Sequence, residues 1–184
     1  MLLEDFVRFN EQFVKEEKYK SIETDSFPNK NAVILTCMDP RLEELLPQAL
    51  DLKNGDVHMI KTAGALLTDP YDSVMRSLLM AVYDLRADEI FVIGHHDCQM
   101  TGYQSKEIIE RMEVQGVDQH RLDSINNNEK DLHQWLHGFE SVEDGVKTTV
   151  ELIQKHPLLP EDLPVHGLVM DPATGKIDIV VFGY

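Results

Sequence analysis

The chain has 184 residues, 42% of them hydrophobic, enough for one domain with a sizeable core and too few for two comfortable ones. Its formal net charge of −16 excludes sequence-independent nucleic-acid binding, because phosphate contacts need clustered Lys and Arg. No apolar run approaches bilayer length, and Glu4, Asp5 and Arg8 interrupt the N-terminus where an export signal would be continuously apolar. A cytoplasmic protein with no membrane partner is expected.

Leu3, Phe6, Val7, Phe13 and Val14 fall near helical spacing, so Leu2 to Lys20 reads as an amphipathic helix, broken by Ser26-Phe27-Pro28-Asn29. Its stripe either packs on its own subunit or reaches over a partner. Residues 1–184 are taken as a single domain with this helical arm at about 1–22. Ala32 to Leu35 is a buried strand, followed by Thr36, Cys37, Met38, Asp39, Pro40 and Arg41. Leu42, Leu45, Leu46, Ala49 and Leu50 predict a helix over 42–52, entered through Pro40 and Arg41, with Asn54-Gly55-Asp56 turning the chain. Val57 to Lys61 is a second strand, and Thr62-Ala63-Gly64-Ala65 a turn of small residues where another element could approach closely. A helix starting at Asp69-Pro70 or Asp72 carries Val74, Leu78, Leu79, Val82 and Leu85 up to Arg86, and Ile90 to Ile93 is the third strand.

The chain turns polar from Gly102, and Gly116 to Asp131 reads as a connector around Asn126-Asn127-Asn128. Ser141 followed by Asp144 signals a capped helix from Val142 to about Lys155. Val165 to Met170 and Ile177 to Phe182 read as a hairpin. Strands alternating with helices predict an α/β fold, a doubly wound and mainly parallel sheet of order 2-1-3-4 with an antiparallel C-terminal strand and helices on both faces. In that order the first and third strands end at a shared crevice. Cys37 then meets His95 and Cys98, although 58 positions separate Cys37 from His95.

The chain has two cysteines, each just past an apolar strand. In a reduced compartment such residues serve metal binding or catalysis sooner than bridging. Cys37, His95 and Cys98 offer two thiolates and an imidazole, a set that suits tetrahedral Zn²⁺ with one position left over. Asp39 could fill that position or stand just outside it, and a bidentate pair with Arg41 would hold it off the metal. Water at the released position would ionise near pH 7 and act as a zinc-bound hydroxide. One zinc per chain is expected. His96 is more simply an incidental neighbour than a proton shuttle, and His58, His120, His133, His137, His156 and His166 lack ligand spacing. Cys37 and Arg41 stand too close for a phosphate-cradling loop, and neither a P-loop nor a dinucleotide fingerprint is present.

Cys37-Met38-Asp39-Pro40-Arg41 with Gly94-His95-His96-Asp97-Cys98 resembles the C-x-D-S-R and H-x-x-C motifs of β-class carbonic anhydrases, especially the compact bacterial and archaeal branch. The likeness runs over about Ala32 to Thr101. It implies reversible hydration of carbon dioxide to bicarbonate, zinc on Cys37, His95 and Cys98, Asp39 and Arg41 as the catalytic dyad, and a homodimer or dimer-based oligomer with the N-terminal helix on the neighbour. Pro40 stands at the usual Ser, Gln99 where Gly is common, and Thr62 where Asn often precedes Ala-Gly. Two alternatives remain open: a relative hydrolysing carbon disulfide or carbonyl sulfide, and a zinc protein without turnover in which Asp39 closes the metal.

Overall fold

The computed structural model describes residues 1–126 and 131–184. Five strands form one sheet: β1 (Ala32–Cys37), β2 (Val57–Thr62), β3 (Glu89–His95), β4 (Val165–Met170) and β5 (Ile177–Val181). Their order is β2-β1-β3-β4-β5, parallel except for the β4–β5 pair, as the alternation of strands and helices predicts. All six residues of β1 are buried because a central strand is covered on both faces.

The helices are α1 (Leu2–Lys15), α2 (Leu42–Ala49), α3 (Ser73–Tyr83), α4 (Ser105–Val114), α5 (Gln119–Asn126), α6 (Leu132–Leu136) and α7 (Val142–Gln154). Strand alternation assigns the layers. Val33, Leu35, Ile90, Val92, Val165 and Val169 join a core with Met75 and Leu78 of α3 and Val146, Val150 and Ile153 of α7. Ile34, Ile93 and Met170 join a second core with Leu42 and Leu46 of α2. Val33, Leu35 and Val92 are wholly enclosed, each contributing roughly 1.5–3 kcal/mol by burial.

Asp72, the second of the two expected start points, caps α3 by accepting from Val74 N and Met75 N. Ser141 caps α7 by accepting from Asp144 N at 3.1 Å. Two expectations need correction. The N-terminal helix ends at Lys15, where Glu17 turns left-handed (φ 53°) and a 3-10 turn runs from Lys18 to Ile22. The expected connector from Gly116 to Asp131 also holds a helix, α5, and α4 and α6 flank it in the polar stretch after Gly102. Lys106–Glu110 and Glu107–Arg111 pairs (both 3.6 Å) support α4 where no long apolar stripe exists. Asn127 and Asn128 of that stretch lie outside the described residues.

Helix α7 lies close to the sheet because β3 and β4 present glycine beneath it. A Cβ on Gly94 would sit 2.7 Å from Val142 Cγ2, and one on Gly167 would sit 2.8 Å from Val146 Cγ1. Val146 is β-branched and cannot swing aside easily. Gly167→Ala should therefore cost about 1–3 kcal/mol by overpacking. Urea unfolding is expected to give that loss in the otherwise unchanged chain and a clearly smaller one in a Val146→Ala background.

Candidate metal centre

Parallel pairing brings the carboxyl ends of β1 and β3 together, Thr36 lying opposite Ile93. Beyond β1, Met38 N donates to Thr62 O at 2.9 Å, which extends the ladder past Cys37. The chain then turns at once, Leu42 N reaching Asp39 O at 3.1 Å. Asp at the first and Pro at the second position suit such a turn. Pro40 has no N–H to give, and the side-chain bond closing the turn comes from Arg41 N to Asp39 Oδ1 at 2.9 Å. Beyond β3, His96 N donates to Met170 O at 2.9 Å and Asp97 takes a left-handed conformation (φ 55°). That reversal turns Cys98 back towards Cys37.

Cys37, His95 and Cys98 are buried, and their ligand atoms all lie within 4.8 Å of one another. The two sulfurs are 3.9 Å apart and unbridged. His95 Nδ1 donates to the His96 carbonyl at 2.8 Å, which leaves Nε2 as the lone-pair nitrogen. Nε2 is buried without a hydrogen-bond partner. A buried orphan acceptor facing two thiols costs free energy unless something electrophilic fills the gap. The trio could hold a metal ion, and the second-nitrogen bond to a carbonyl is the support such a ligand needs.

The sulfurs differ in character. The Cys98 thiol donates to Cys37 and so holds Cys37 down to about 4, overcoming burial, with the backbone at Asp39 and Gly64 adding to the effect. Cys98 is pushed up by the same contact and by burial. Of the two thiols Cys37 is the readier to ionise, which favours capture of a cation.

Arg41 grips Asp39 with two nitrogens, Nη2 on Oδ2 at 2.8 Å and Nε on Oδ1 at 3.1 Å. The same Nη2 donates to Asp97 O at 3.1 Å, so the guanidinium spans both strand-end loops. Asp39 Oδ2 stands 3.8 Å from His95 Nε2, beyond hydrogen-bonding distance. Arg41 holds the Asp39 carboxyl down to about 2, and Asp39 raises the Arg41 guanidinium in return.

A family profile described as carbonic anhydrase matches residues 32–177, a span holding every residue of this centre. The chain belongs to the β-carbonic anhydrase family. It is 51% identical over 183 residues to the Bacillus subtilis protein YtiB, provisionally named a carbonic anhydrase, covering 100% of this chain and 98% of YtiB. Its fold superposes on a crystal structure of β-carbonic anhydrase isoform I from Trichomonas vaginalis with a TM-score of 0.89, at 29% identity and with both chains wholly covered. A carbon disulfide hydrolase of Acidithiobacillus thiooxidans is 27% identical over 161 residues, 81% of this chain and 76% of that enzyme.

Within this β-carbonic anhydrase fold, the remaining histidines serve structure where their contacts are known. His58 Nε2 meets Leu85 O, His156 Nε2 meets Pro70 O, and His166 Nδ1 accepts from Gly183 N. His96 and Gln99 are exposed at the rim. No motif pointed to the Gly64 backbone as an influence on Cys37, although the small-residue turn at 62–65 is where such an approach was expected.

The depressed Asp39 value has a sign that can be worked out. The folded carboxyl ionises more readily than the unfolded one, so the pair stabilises the fold above roughly pH 4. That contribution is lost as pH falls through about 2. In metal-free protein, Arg41→Ala should raise the Asp39 midpoint towards about 3.9. Carbon-13 NMR titration of the Asp39 carboxyl checks it, and an unmoved midpoint would deny Arg41 its hold.

Proposed function

We propose that the chain is a zinc-dependent carbonic anhydrase that interconverts carbon dioxide and bicarbonate, with Cys37, His95 and Cys98 holding one zinc. The observation that carries this reading is the buried trio itself, whose three donor atoms converge within 4.8 Å at the meeting of two strand ends. Two thiolates and one imidazole match the preferences of Zn²⁺ and leave a fourth position for chemistry. Bound zinc supplies Lewis-acid activation of water near neutral pH, lowering its pKa to about 7.

The chain's own groups do the rest. Asp39 is anionic across the working range and can only accept hydrogen bonds. Held by Arg41, it would accept a hydrogen bond from the attacking oxygen and so leave that oxygen's free lone pair aimed at the carbon of carbon dioxide. Arg41 also denies Asp39 to the metal, which argues against a permanently closed centre. Attack forms the carbon–oxygen bond of bicarbonate, and the proton set free passes to solvent at the mouth, where Met38 and His96 are exposed.

The likeness to a carbon disulfide hydrolase favours a second reading, in which the same activated water attacks carbon disulfide or carbonyl sulfide. Elemental analysis should give one zinc per chain, largely lost in Cys37→Ser or Cys98→Ser. Stopped-flow assays of the zinc-loaded protein should show carbon dioxide hydration with little turnover of the two sulfur gases. The reverse preference would move the assignment to the second reading.

We further propose a cytoplasmic homodimer, or an oligomer built from dimers, in which residues 1–22 form an arm over the neighbour. Two free thiols suit a reducing compartment. Helix α1 has no buried residue, and Leu2, Leu3, Phe6, Val7, Phe9 and Val14 are each more than half exposed. A strip of this size is rarely left open to water. Light scattering should report at least a dimer for the full chain, and deleting residues 1–22 should shift it to monomer at micromolar concentration.

A further inference from the structure

Phe139 belongs to no motif and touches no reacting atom, yet it meets both the Gly64 turn beside the end of β1 and the loop that carries Cys98. It packs against both cores at once. Its ring lies on the Gly64 turn: a Cβ on Gly64 would sit 2.9 Å from Phe139 Cε1 and 3.1 Å from Met100 Cβ. Gly64 is left-handed (φ 78°) and follows closely on Thr62, the residue paired with Cys37 across β1 and β2. The ring also meets Gly145 of α7, where a Cβ would lie 2.6 Å from Phe139 Cδ1. A ring this close to two glycines is one that neither position could meet with a larger residue.

The backbone of the same residue grips the second loop. Phe139 N donates to Met100 O at 3.1 Å, and Gly102 N donates to Phe139 O at 2.7 Å. Gly138 N adds a bond to Tyr103 O at 3.0 Å. Gly138 can be nothing larger, since a Cβ there would fall 1.9 Å from Met100 O. These bonds fasten the segment that begins at Cys98, whose own carbonyl accepts from Thr101 N at 3.0 Å. Thr62 Oγ1 closes the other loop by donating to Leu66 O at 3.2 Å.

We infer that Phe139 is a positioning residue of the metal centre: its ring seats the Gly64 turn against Cys37 while its backbone fixes the Cys98 loop. It therefore sets the distance between the two sulfurs from outside the ligand set. This rests on the reading that Cys37 and Cys98 hold zinc. Supports of this kind are worth about 10–100-fold in metal affinity.

The test compares Phe139→Ala with Ile153→Ala, a truncation of a fully enclosed α7 residue that belongs to one core alone. Zinc affinity is measured by competition with a chromophoric chelator, the thiolate-to-cobalt absorption of cobalt-substituted protein reports ligand geometry, and thermal unfolding reports stability. Phe139→Ala is expected to weaken zinc binding about 10–100-fold and to alter the cobalt absorption. Ile153→Ala should lower the Tm and leave both unchanged. A Phe139→Ala protein that loses Tm but keeps wild-type zinc affinity and cobalt absorption overturns the inference. Should Phe139→Ala fail to fold, Phe139→Leu decides by the same two readouts. An unmodified chain that takes up no zinc overturns the zinc reading itself, and the inference with it.

Discussion

Parallel pairing of β1 with β3 is the contact on which everything else in this molecule depends. Parallel neighbours end on the same side of the sheet, so the residues that follow each strand emerge together. β2 and β4 flank this central pair, and α2, α3 and α7 cover its two faces. Cys37 and His95 are thereby seated at the dry end of the molecule's best-packed region. Side chains alternate with a period of two, so a slip of one residue between these strands would break the face on which Val33 meets Ile90 and Leu35 meets Val92. The register from Ala32–Glu89 to Thr36–Ile93 is what forbids it.

Where the strands stop, polar bonds take over from packing. Arg41 reaches Asp39 within its own loop and Asp97 O in the loop after β3. As a half-exposed ion pair it contributes little to stability. Its bidentate geometry nevertheless fixes a direction, and direction is what a carboxylate beside a metal site needs. Pro40 fits that arrangement without loss, because the turn draws its donor from Arg41 N. A Ser hydroxyl at position 40 is therefore dispensable for the shape of the loop.

Much of this could be read from the chain alone, and the reasons are specific. Ala32–Leu35 and Ile90–Ile93 are uninterrupted apolar runs, which in an alternating α/β chain mark strands buried on both faces, and each run ends abruptly in Cys or His. The meeting of Cys37, His95 and Cys98 followed from strand order, since two apolar runs separated by a helix, a strand and a helix are neighbours in a 2-1-3 sheet. Elements whose stability comes from elsewhere were harder to see. Helices α4, α5 and α6 lack a long apolar stripe, and only the i,i+4 charge pairs of α4 announce it. The left-handed turn at Glu17 leaves no mark in hydrophobic spacing. Phe139 was invisible for another reason: its partners Gly64 and Met100 are remote in sequence, and a lone Phe in a polar stretch carries no periodic signal.

The spacing of the two cysteines also has a bearing on how the molecule is made. Cys98 follows Cys37 by 61 residues, a delay of about 3–12 s when a ribosome adds about 5–20 residues per second. Throughout that interval β1 has emerged without β3, and the first thiol is a solitary nucleophile. One sulfur alone is a poor trap for a metal, so an ion held by all three donors would enter only once the strands have met. Until its distant companions are synthesised, that first thiol stands open to oxidation.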